Sequence, residues 1–219
     1  VIYICSNAAI ATQNVNRLNV SDTDGFSIAT RLTYLPRQVR SLRKNKVNFI
    51  SLTPGTAFDH ARSRGGHADE RAILYRMLYD LPLAQNERRR RLRVGLLNIL
   101  QATAGKDNWR AKAKNLPAED LDADLSKAFR RAVLEDAELY AALKEGCERF
   151  ARYRDYSRIP WEDSELRYDL IGKLRSKLAS VCLSALEPDL VILDEFQRFK
   201  HLLDGDDEAS KLATELFKY

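Results

Sequence analysis

The chain has 219 residues, of which 45% are hydrophobic and 31% are charged, and this balance is ordinary for a protein with a sizeable apolar core. The balance argues against global disorder, and because no run of about 18 apolar residues occurs, we expect no membrane span. The formal net charge of +5 favours a polyanionic partner only mildly, well short of a histone-like excess.

The amino-terminal residues predict a strand followed by a capped helix. Val1–Cys5 is a short apolar run of the kind that forms strands. Ser6 and Asn7 are residue types that cap helix amino termini, and they precede a helix expected at Ala8–Leu18. The chain starts inside this strand, without an initiator Met or a targeting segment, so we expect it to be a piece of a longer protein.

A second strand is expected after a basic segment. Residues 31–46 are basic and weakly periodic, and Pro36 interrupts them. The apolar pattern of Val47–Leu52 predicts a strand, and the Thr-Pro-Gly at 53–55 has the composition of a turn. A flexible, arginine-bearing loop is expected at Ser63–Gly66.

Residues 69–186 differ in character, because their apolar residues recur at helical spacing. The clearest stripe is Leu166, Leu170, Leu174, Leu178 and Val181. Another stripe runs through Val133, Tyr140 and Cys147. We expect about five helices and no strand in this block.

The chain then returns to sheet and ends in a helix. Leu190–Leu193 is an apolar run of strand length, and Ala209–Phe217 predicts a closing helix. Strands before and after a long helical block predict an α/β fold, a partial parallel sheet with a large all-helical insertion. The expected boundaries are 1–68 and 187–219 for the sheet domain and 69–186 for the insertion.

Two adjacent acids, Asp194 and Glu195, follow the last predicted strand. Ligands of open α/β sheets sit beyond the carboxyl ends of parallel strands. Carboxylates at that position suit magnesium binding and water activation in nucleotide hydrolysis. A strand that ends in a solvated acidic turn is the alternative interpretation.

The polar segments at the three strand ends resemble, in their order, the first RecA-like lobe of superfamily-two helicases and translocases, including DEAD-box and Swi/Snf-type motors. Ile4–Asn14 resembles motif Ia, and Ser51–Gly55 resembles motif Ib. Leu193–Lys200 resembles motif II, the Walker B element, in an Asp-Glu-x-Gln form. The narrower resemblance is to large bacterial helicase-like proteins of phage-defence islands. The resemblance covers residues 1–58 and 187–219.

The resemblance implies ATP and magnesium as cofactors and gives three residues catalytic roles. Asp194 would hold magnesium through water, and Glu195 would polarise the water that attacks the γ-phosphate. Gln197 would sense the nucleotide and pass its state to a neighbouring lobe, although a plain surface amide is the alternative. The implied activity is ATP-driven movement along nucleic acid. Duplex DNA is the expected track, because the Arg-Phe-Lys at 198–200 is similar to Swi/Snf-type motors.

The same resemblance implies contacts with the nucleic-acid backbone that do not read bases. Ser6 and Asn7 lie where a helix amino terminus presents amides to a phosphate, and an ordinary N-cap is the alternative. Thr53 and Gly55 would contact the same strand, and a simple turn is the alternative for them.

Two basic segments are candidates for further phosphate contacts. Arg62 and Arg64 lie on the glycine-containing loop after motif Ib, and they are the preferred candidates. The basic run at 88–93 lies on a predicted amphipathic helix, where a solvated face is the commoner role. Trp109 and Trp161 are expected in a core or an interface rather than as base-stacking platforms.

Departures from the superfamily pattern limit what this chain can do. The phosphate-binding sequence Gly-x-x-x-x-Gly-Lys-Ser/Thr is absent, and so is the second RecA-like lobe. We therefore expect the 219 residues alone not to hydrolyse ATP. A non-catalytic interaction module is the alternative function. A magnesium-dependent nuclease using Asp194 and Glu195 is a third possibility, but no companion motif accompanies the pair.

Cysteine and histidine are few and scattered. Cys5, Cys147 and Cys182 are odd in number and lie in apolar surroundings, so we expect buried free thiols in a cytoplasmic protein. The three histidines have no neighbouring Cys or His at ligand spacing, so no zinc site is expected.

Overall fold

A computed structural model gives the fold of the chain. It describes residues 1–18, 31–45, 47–57, 64–83, 86–153, 159–198, 200, 205 and 208–216. The chain divides into two compact units, of which the first joins Val1–Arg62 to Leu178–Tyr219 and the second is Ser63–Lys177. The insertion predicted at 69–186 shares residues 69–177 with the second unit, whereas 178–186 belong to the first.

The described residues are mostly helical. In chain order the elements are β1 Ile2–Ile4, α1 Ala8–Leu18, α2 Leu35–Leu42, β2 Ile50–Leu52, α3 Pro54–Ala57, α4 Ala68–Leu78, α5 Asn86–Gln101, α6 Lys106–Lys114, α7 Ala123–Glu135, α8 Ala137–Phe150, α9 Trp161–Ser184, β3 Val191–Leu193 and α10 Glu208–Glu215. Short 3₁₀ turns occur at Leu32–Tyr34, Ala118–Asp120 and Phe196–Arg198.

The three strands lie in the first unit and form a parallel sheet in the order β2–β1–β3. Ile2 of β1 pairs with Ile50 of β2 on one side and with Val191 of β3 on the other. The prediction of an α/β fold with a parallel sheet is therefore confirmed. The second strand is shorter than predicted, because Val47 is 51% exposed and lies before β2.

Helix α1 packs on one face of this sheet. Residues alternate between the two faces of an extended chain, so Tyr3 of β1 and Cys5, the first residue after β1, share the face that α1 covers. Ala11 and Val15, one helical turn apart, join them with Phe49 in a buried cluster. Burying a side chain such as Val15 stabilises the fold by about 1.5–3 kcal/mol, which holds a helix too short to be stable alone.

Two prolines that we expected to interrupt or turn the chain instead begin helices. Pro36 lies in the first turn of α2, and Pro54 opens α3. The first residues of a helix have no intrahelical acceptor for their N–H groups, so proline is well tolerated there. The predicted interruption at Pro36 and the predicted turn at 53–55 are therefore corrected to helix starts.

The second unit contains more helices than predicted, because a break at Asp136 divides the apolar stripe through Val133 and Cys147. Asp136 ends α7 and caps α8, and its carboxylate accepts a hydrogen bond from the Leu139 amide at 3.0 Å. Its other oxygen lies 2.7 Å from Nζ of Lys177. Over the described residues, α4 to α9 make six α-helices where about five were expected, and no strand occurs among them.

Helices α5 and α8 approach each other at backbone distance in the second unit. A Cβ at Gly95 of α5 would lie 2.6 Å from the carbonyl carbon and 2.7 Å from the Cα of Cys147 in α8. The side chains around this crossing, such as Leu96, Ile99 and Leu143, are fully buried. Position 95 therefore has room only for glycine, because any Cβ would overlap the backbone of Cys147.

Buried arginines connect the helices of the second unit. Arg71 donates hydrogen bonds to the carbonyls of Leu100 at 2.8 Å and Gly65 at 2.6 Å. Arg175 of α9 pairs with Glu70 of α4 at 3.0 Å, and both side chains are 0% exposed. Removing one member of a buried pair costs about 3–5 kcal/mol, so this contact holds α9 against α4.

The predicted state of the cysteines is confirmed, because Cys5, Cys147 and Cys182 are free and buried. Burial raises the pKa of the Cys147 thiol, which therefore stays protonated. Trp109 is buried as expected, whereas Trp161 is 72% exposed and so has no place in the core. None of the helices in the described parts of the chain has the length and apolar character needed to cross a membrane.

Candidate functional site

The carboxyl ends of the three strands lie at one edge of the sheet, because all three run parallel. The Cys5 amide donates to the Leu52 carbonyl at 3.2 Å, and the Asp194 amide donates to the Ile4 carbonyl at 2.8 Å. The ladder thus continues one residue beyond β1 and β3. It aligns the segments that follow the strands at this carboxyl edge: Ser6–Asn7, Thr53–Gly55 and Asp194–Gln197.

Glu195 turns back from the end of β3 toward the end of β1. Its Oε2 accepts hydrogen bonds from the Ser6 hydroxyl and, at 3.8 Å, from the Cys5 thiol. Its Oε1 lies 3.6 Å from Nε of Arg198. The backbone φ of Glu195 is 56°, in the left-handed region that costs a residue with a Cβ about 1–2 kcal/mol. Glu195 therefore makes these side-chain contacts from a backbone conformation that is unfavourable for glutamate.

Asp194 contacts a different set of groups, on the face that α1 covers. Its Oδ2 accepts hydrogen bonds from the Tyr3 hydroxyl and, at 3.2 Å, from Nδ2 of Asn14. Burial, and next the hydrogen bond to Asp194, raises the pKa of Tyr3, so the phenol keeps its proton at neutral pH. The side chain of Asp194 is thereby fastened to β1 and α1.

Asn7 is the N-cap of α1, as predicted. Its side-chain oxygen accepts hydrogen bonds from the amides of Ala9 at 2.8 Å and Ile10 at 3.4 Å. These are two of the amides that a helix amino terminus could offer to a phosphate. A phosphate that binds them would have to displace the Asn7 side chain.

Thr53 and Gly55 lie at the start of α3. Thr53 is 9% exposed, and its carbonyl accepts a hydrogen bond from the Ala57 amide at 2.9 Å. Gly55 is exposed, and nothing lies within 4 Å of the position that a Cβ would take. Packing therefore does not require glycine at position 55, and its backbone is open to solvent.

The remaining predicted residues have other surroundings. Gln197 is exposed in the 3₁₀ turn that follows Glu195. Arg64 belongs to the second unit, where its Nη1 lies 2.9 Å from Oε2 of Glu165. Arg62 lies outside the described residues.

Tyr3 and Asn14 contact Asp194, but neither was predicted as a site residue, although Asn14 ends the segment that resembles motif Ia. The parallel register pairs Tyr3 with Ile192, and alternation then puts Tyr3 and Asp194 on the same face of the sheet. Asn14 lies on α1 two turns after its N-cap, so it reaches Asp194 only because α1 packs on that face. The hydroxyl group of Tyr3, on a residue of an apolar strand, was the only sequence feature that pointed to a hydrogen bond. The sequence did not indicate which residue would accept that hydrogen bond.

Asp194 and Glu195 are the two acids at this edge that could contact a metal ion. Within the described ranges, no group of three or more His, Cys, Asp or Glu side chains is placed to hold a metal ion. Magnesium is commonly held by one or two carboxylates together with substrate phosphates and water. Asp194 and Glu195 supply two carboxylates, whereas a nuclease site would need further acids.

Comparison with known proteins does not place this chain in a family. No family model, curated protein or solved structure matches the chain. The interpretation of the carboxyl edge therefore rests on its residues and their contacts.

Proposed function

We propose that the first unit is part of the RecA-like motor lobe of an ATP-dependent helicase or translocase that moves on duplex DNA. The hydrogen bond from the Ser6 hydroxyl to Glu195 carries the proposal, since it joins positions 189 residues apart. It connects the segment that resembles motif Ia to the segment that resembles motif II, beyond the carboxyl ends of parallel strands, where open α/β sheets bind ligands. Glu195 also has a left-handed backbone, which it shares with Ala102 and Glu187.

In this proposal Asp194 and Glu195 serve a magnesium–ATP complex. Tyr3 and Asn14 both donate to Oδ2 of Asp194, which orients the carboxylate. Over the part of the chain that the structure describes, Oδ1 has no hydrogen-bond donor, and it would face a hydrated ion. Magnesium, when bound, would neutralise negative charge on the phosphates. Glu195 orients the attacking water and accepts its proton, and Gln197 reports the nucleotide state to a second lobe.

Ser6, Asn7, Thr53 and Gly55 provide the contacts with the DNA backbone in this proposal. Ser6 and Asn7 follow β1, the strand that neighbours β3, whereas Thr53 and Gly55 follow β2 on the far side of β1. A change in the DNA contacts would therefore reach the acids through the segment that follows β1. The Ser6 hydroxyl is the most direct path, because it already donates to Glu195. A phosphate that engages Ser6 would release the Glu195 carboxylate for water.

The proposal requires a phosphate-binding loop and a second lobe that the 219 residues do not contain. The test is therefore ATP hydrolysis by the full-length gene product, with and without duplex DNA. Glu195→Gln should lower kcat by at least about 100-fold, because an amide cannot accept a proton from water. Glu187→Gln is the matched control, since Glu187 is exposed before β3, at the opposite end of that strand, and its kcat should be unchanged. Unchanged turnover in Glu195→Gln would contradict the proposal.

A non-catalytic interaction module is the second candidate function, and one observation favours it. Both carboxylates at the carboxyl edge accept hydrogen bonds from side chains of this same chain. In that function Asp194 and Glu195 only fasten β3 to β1 and α1. A full-length product without DNA-stimulated ATPase activity, in which Asp194→Asn lowers the stability of the sheet, would establish this alternative.

A further inference from the structure

Within the described residues, some side chains of the basic run on α5 have acidic partners and others have none. Arg89 and Arg93 lie 4.0 Å and 3.6 Å from Oδ1 of Asp80. The Arg93 guanidinium also lies 3.8 Å from the ring centroid of Tyr79. These two arginines therefore contact groups at the end of α4.

A pocket of about 520 Å³ lies beside the other arginines of the run, and it is lined by Arg88, Arg91, Leu92, Glu148 and Arg152. Arg88 and Arg91 are one helical turn apart on α5, so they face the same side. Glu148 of α8 pairs with Arg88. Over the residues that the structure describes, Arg91 and Arg152 have no acidic partner.

The lining of this pocket suits a phosphate group. It sets three guanidinium groups against one carboxylate, so the pocket carries a net positive charge. The planar guanidinium fork matches phosphate oxygens and binds them through paired hydrogen bonds. A solvated basic face would account for the run on α5, but it would not account for Arg152, which reaches the same cavity from the end of α8.

We propose that this pocket of the second unit binds a phosphate of the nucleic-acid backbone. The choice of nucleic acid among phosphate carriers rests on the proposed function, whereas the affinity for phosphate rests on the pocket itself. Glu148 competes with the phosphate for Arg88 and thereby moderates the affinity. The site lies outside the segments that resemble helicase motifs. It gives the helical unit a role in binding the DNA on which the proposed motor moves.

The test is fluorescence anisotropy of the 219-residue chain with a short labelled duplex at several salt concentrations. The double variant Arg91→Gln/Arg152→Gln should bind about tenfold more weakly, and its slope of log K against log salt should be smaller by about 2. Arg90→Gln is the matched control, because Arg90 is exposed on the same helix but does not line the pocket. It should weaken binding by less than about twofold. Far-UV circular dichroism checks that the variants fold.

An equal loss in log K per charge removed in Arg90→Gln and in the double variant would indicate a diffuse basic face and would overturn the proposal, as would unchanged binding in the double variant. Glu148→Gln should instead tighten binding by about threefold, because it frees Arg88, and weaker binding would count against the pocket.

Inorganic pyrophosphate distinguishes nucleic acid from other phosphate-bearing ligands. A wild-type chain that binds pyrophosphate but not duplex would overturn the assignment to nucleic acid. Full-length protein that hydrolyses ATP while the double variant binds normally would reject the pocket and leave the proposed function intact.

Discussion

At the residue scale, acidic side chains fix much of the local structure through contacts with their own chain. Asp163 is 1% exposed in its side chain, pairs with Arg149 and accepts a hydrogen bond from the Tyr153 hydroxyl. Asp194 and Glu195 accept hydrogen bonds in the same way at the carboxyl edge. Each of these carboxylates has a second partner, so removing one donor should lower the stability by about the net contribution of that one hydrogen bond.

Asp136 makes the stability of the second unit dependent on pH. The hydrogen bond from Lys177, and next that from the Leu139 amide, lowers the pKa of Asp136. Its contribution is complete above the unfolded pKa of about 3.9 and is lost as the pH falls through the lower pKa of the folded state. Asp136→Asn keeps the N-cap but loses the ion pair, so the variant should lose less stability than the wild type between pH 6 and pH 3.

Urea unfolding followed by the fluorescence of Trp109, which is buried in the second unit, measures this difference. Asp169→Asn is the control, because Asp169 and Lys173 form an exposed pair one turn apart on α9. Such pairs contribute only about 0.3–0.5 kcal/mol, so its pH dependence should follow the wild type. An unaltered pH dependence in Asp136→Asn would show that the Lys177 contact does not contribute.

At the element scale, the contact between α5 and α8 depends on glycine at a single point. Gly95→Ala should destabilise the second unit by about 3 kcal/mol or more, because the new Cβ meets backbone atoms of Cys147 that cannot rotate away. Gly146→Ala on α8 is the matched control. Its Cβ would meet Cδ1 of Leu170 at 2.7 Å, the end of a flexible side chain, and alanine favours the helix by about 1 kcal/mol.

The midpoints of urea unfolding of the two alanine variants decide this prediction. We expect Gly95→Ala to unfold at clearly lower urea and Gly146→Ala to stay within about 1 kcal/mol of the wild type. Equal effects of the two substitutions would mean that the helices separate easily and that backbone contact at Gly95 is not needed.

At the scale of the whole molecule, the division into two units makes one of them a candidate for independent folding. The second unit is a continuous stretch, Ser63–Lys177, and it contains the buried pair of Glu70 and Arg175. We expect a chain of residues 63–177 to fold alone, with a cooperative urea transition seen by circular dichroism and by Trp109 fluorescence. Arg175→Met in the same fragment should lower its stability by about 3–5 kcal/mol. Helical signal without a cooperative transition would show that the unit needs the rest of the chain.

Several features of the fold could be predicted because they depend on neighbours in the sequence. The strand at β1, the cap at Asn7 and the helical character of the block after residue 69 follow from local patterns. The predicted interruption at Pro36 was wrong, because Pro36 lies in the first turn of α2. A proline can begin a helix or break one, and the sequence pattern around Pro36 did not distinguish these two cases. The division at Asp136 escaped the prediction for a similar reason, since an apolar stripe continues across it.

The sequence by itself determined that strands flank a long helical block, that the sheet is parallel, and that two acids follow the last strand. Only the tertiary structure decided which groups those acids contact: Tyr3 and Asn14 hold Asp194, and Ser6 holds Glu195. It also decided which arginines of the α5 run meet Arg152 at one cavity. The physical reason is that propensity and periodicity act over a few residues, whereas strand register and helix packing choose partners far apart in the chain.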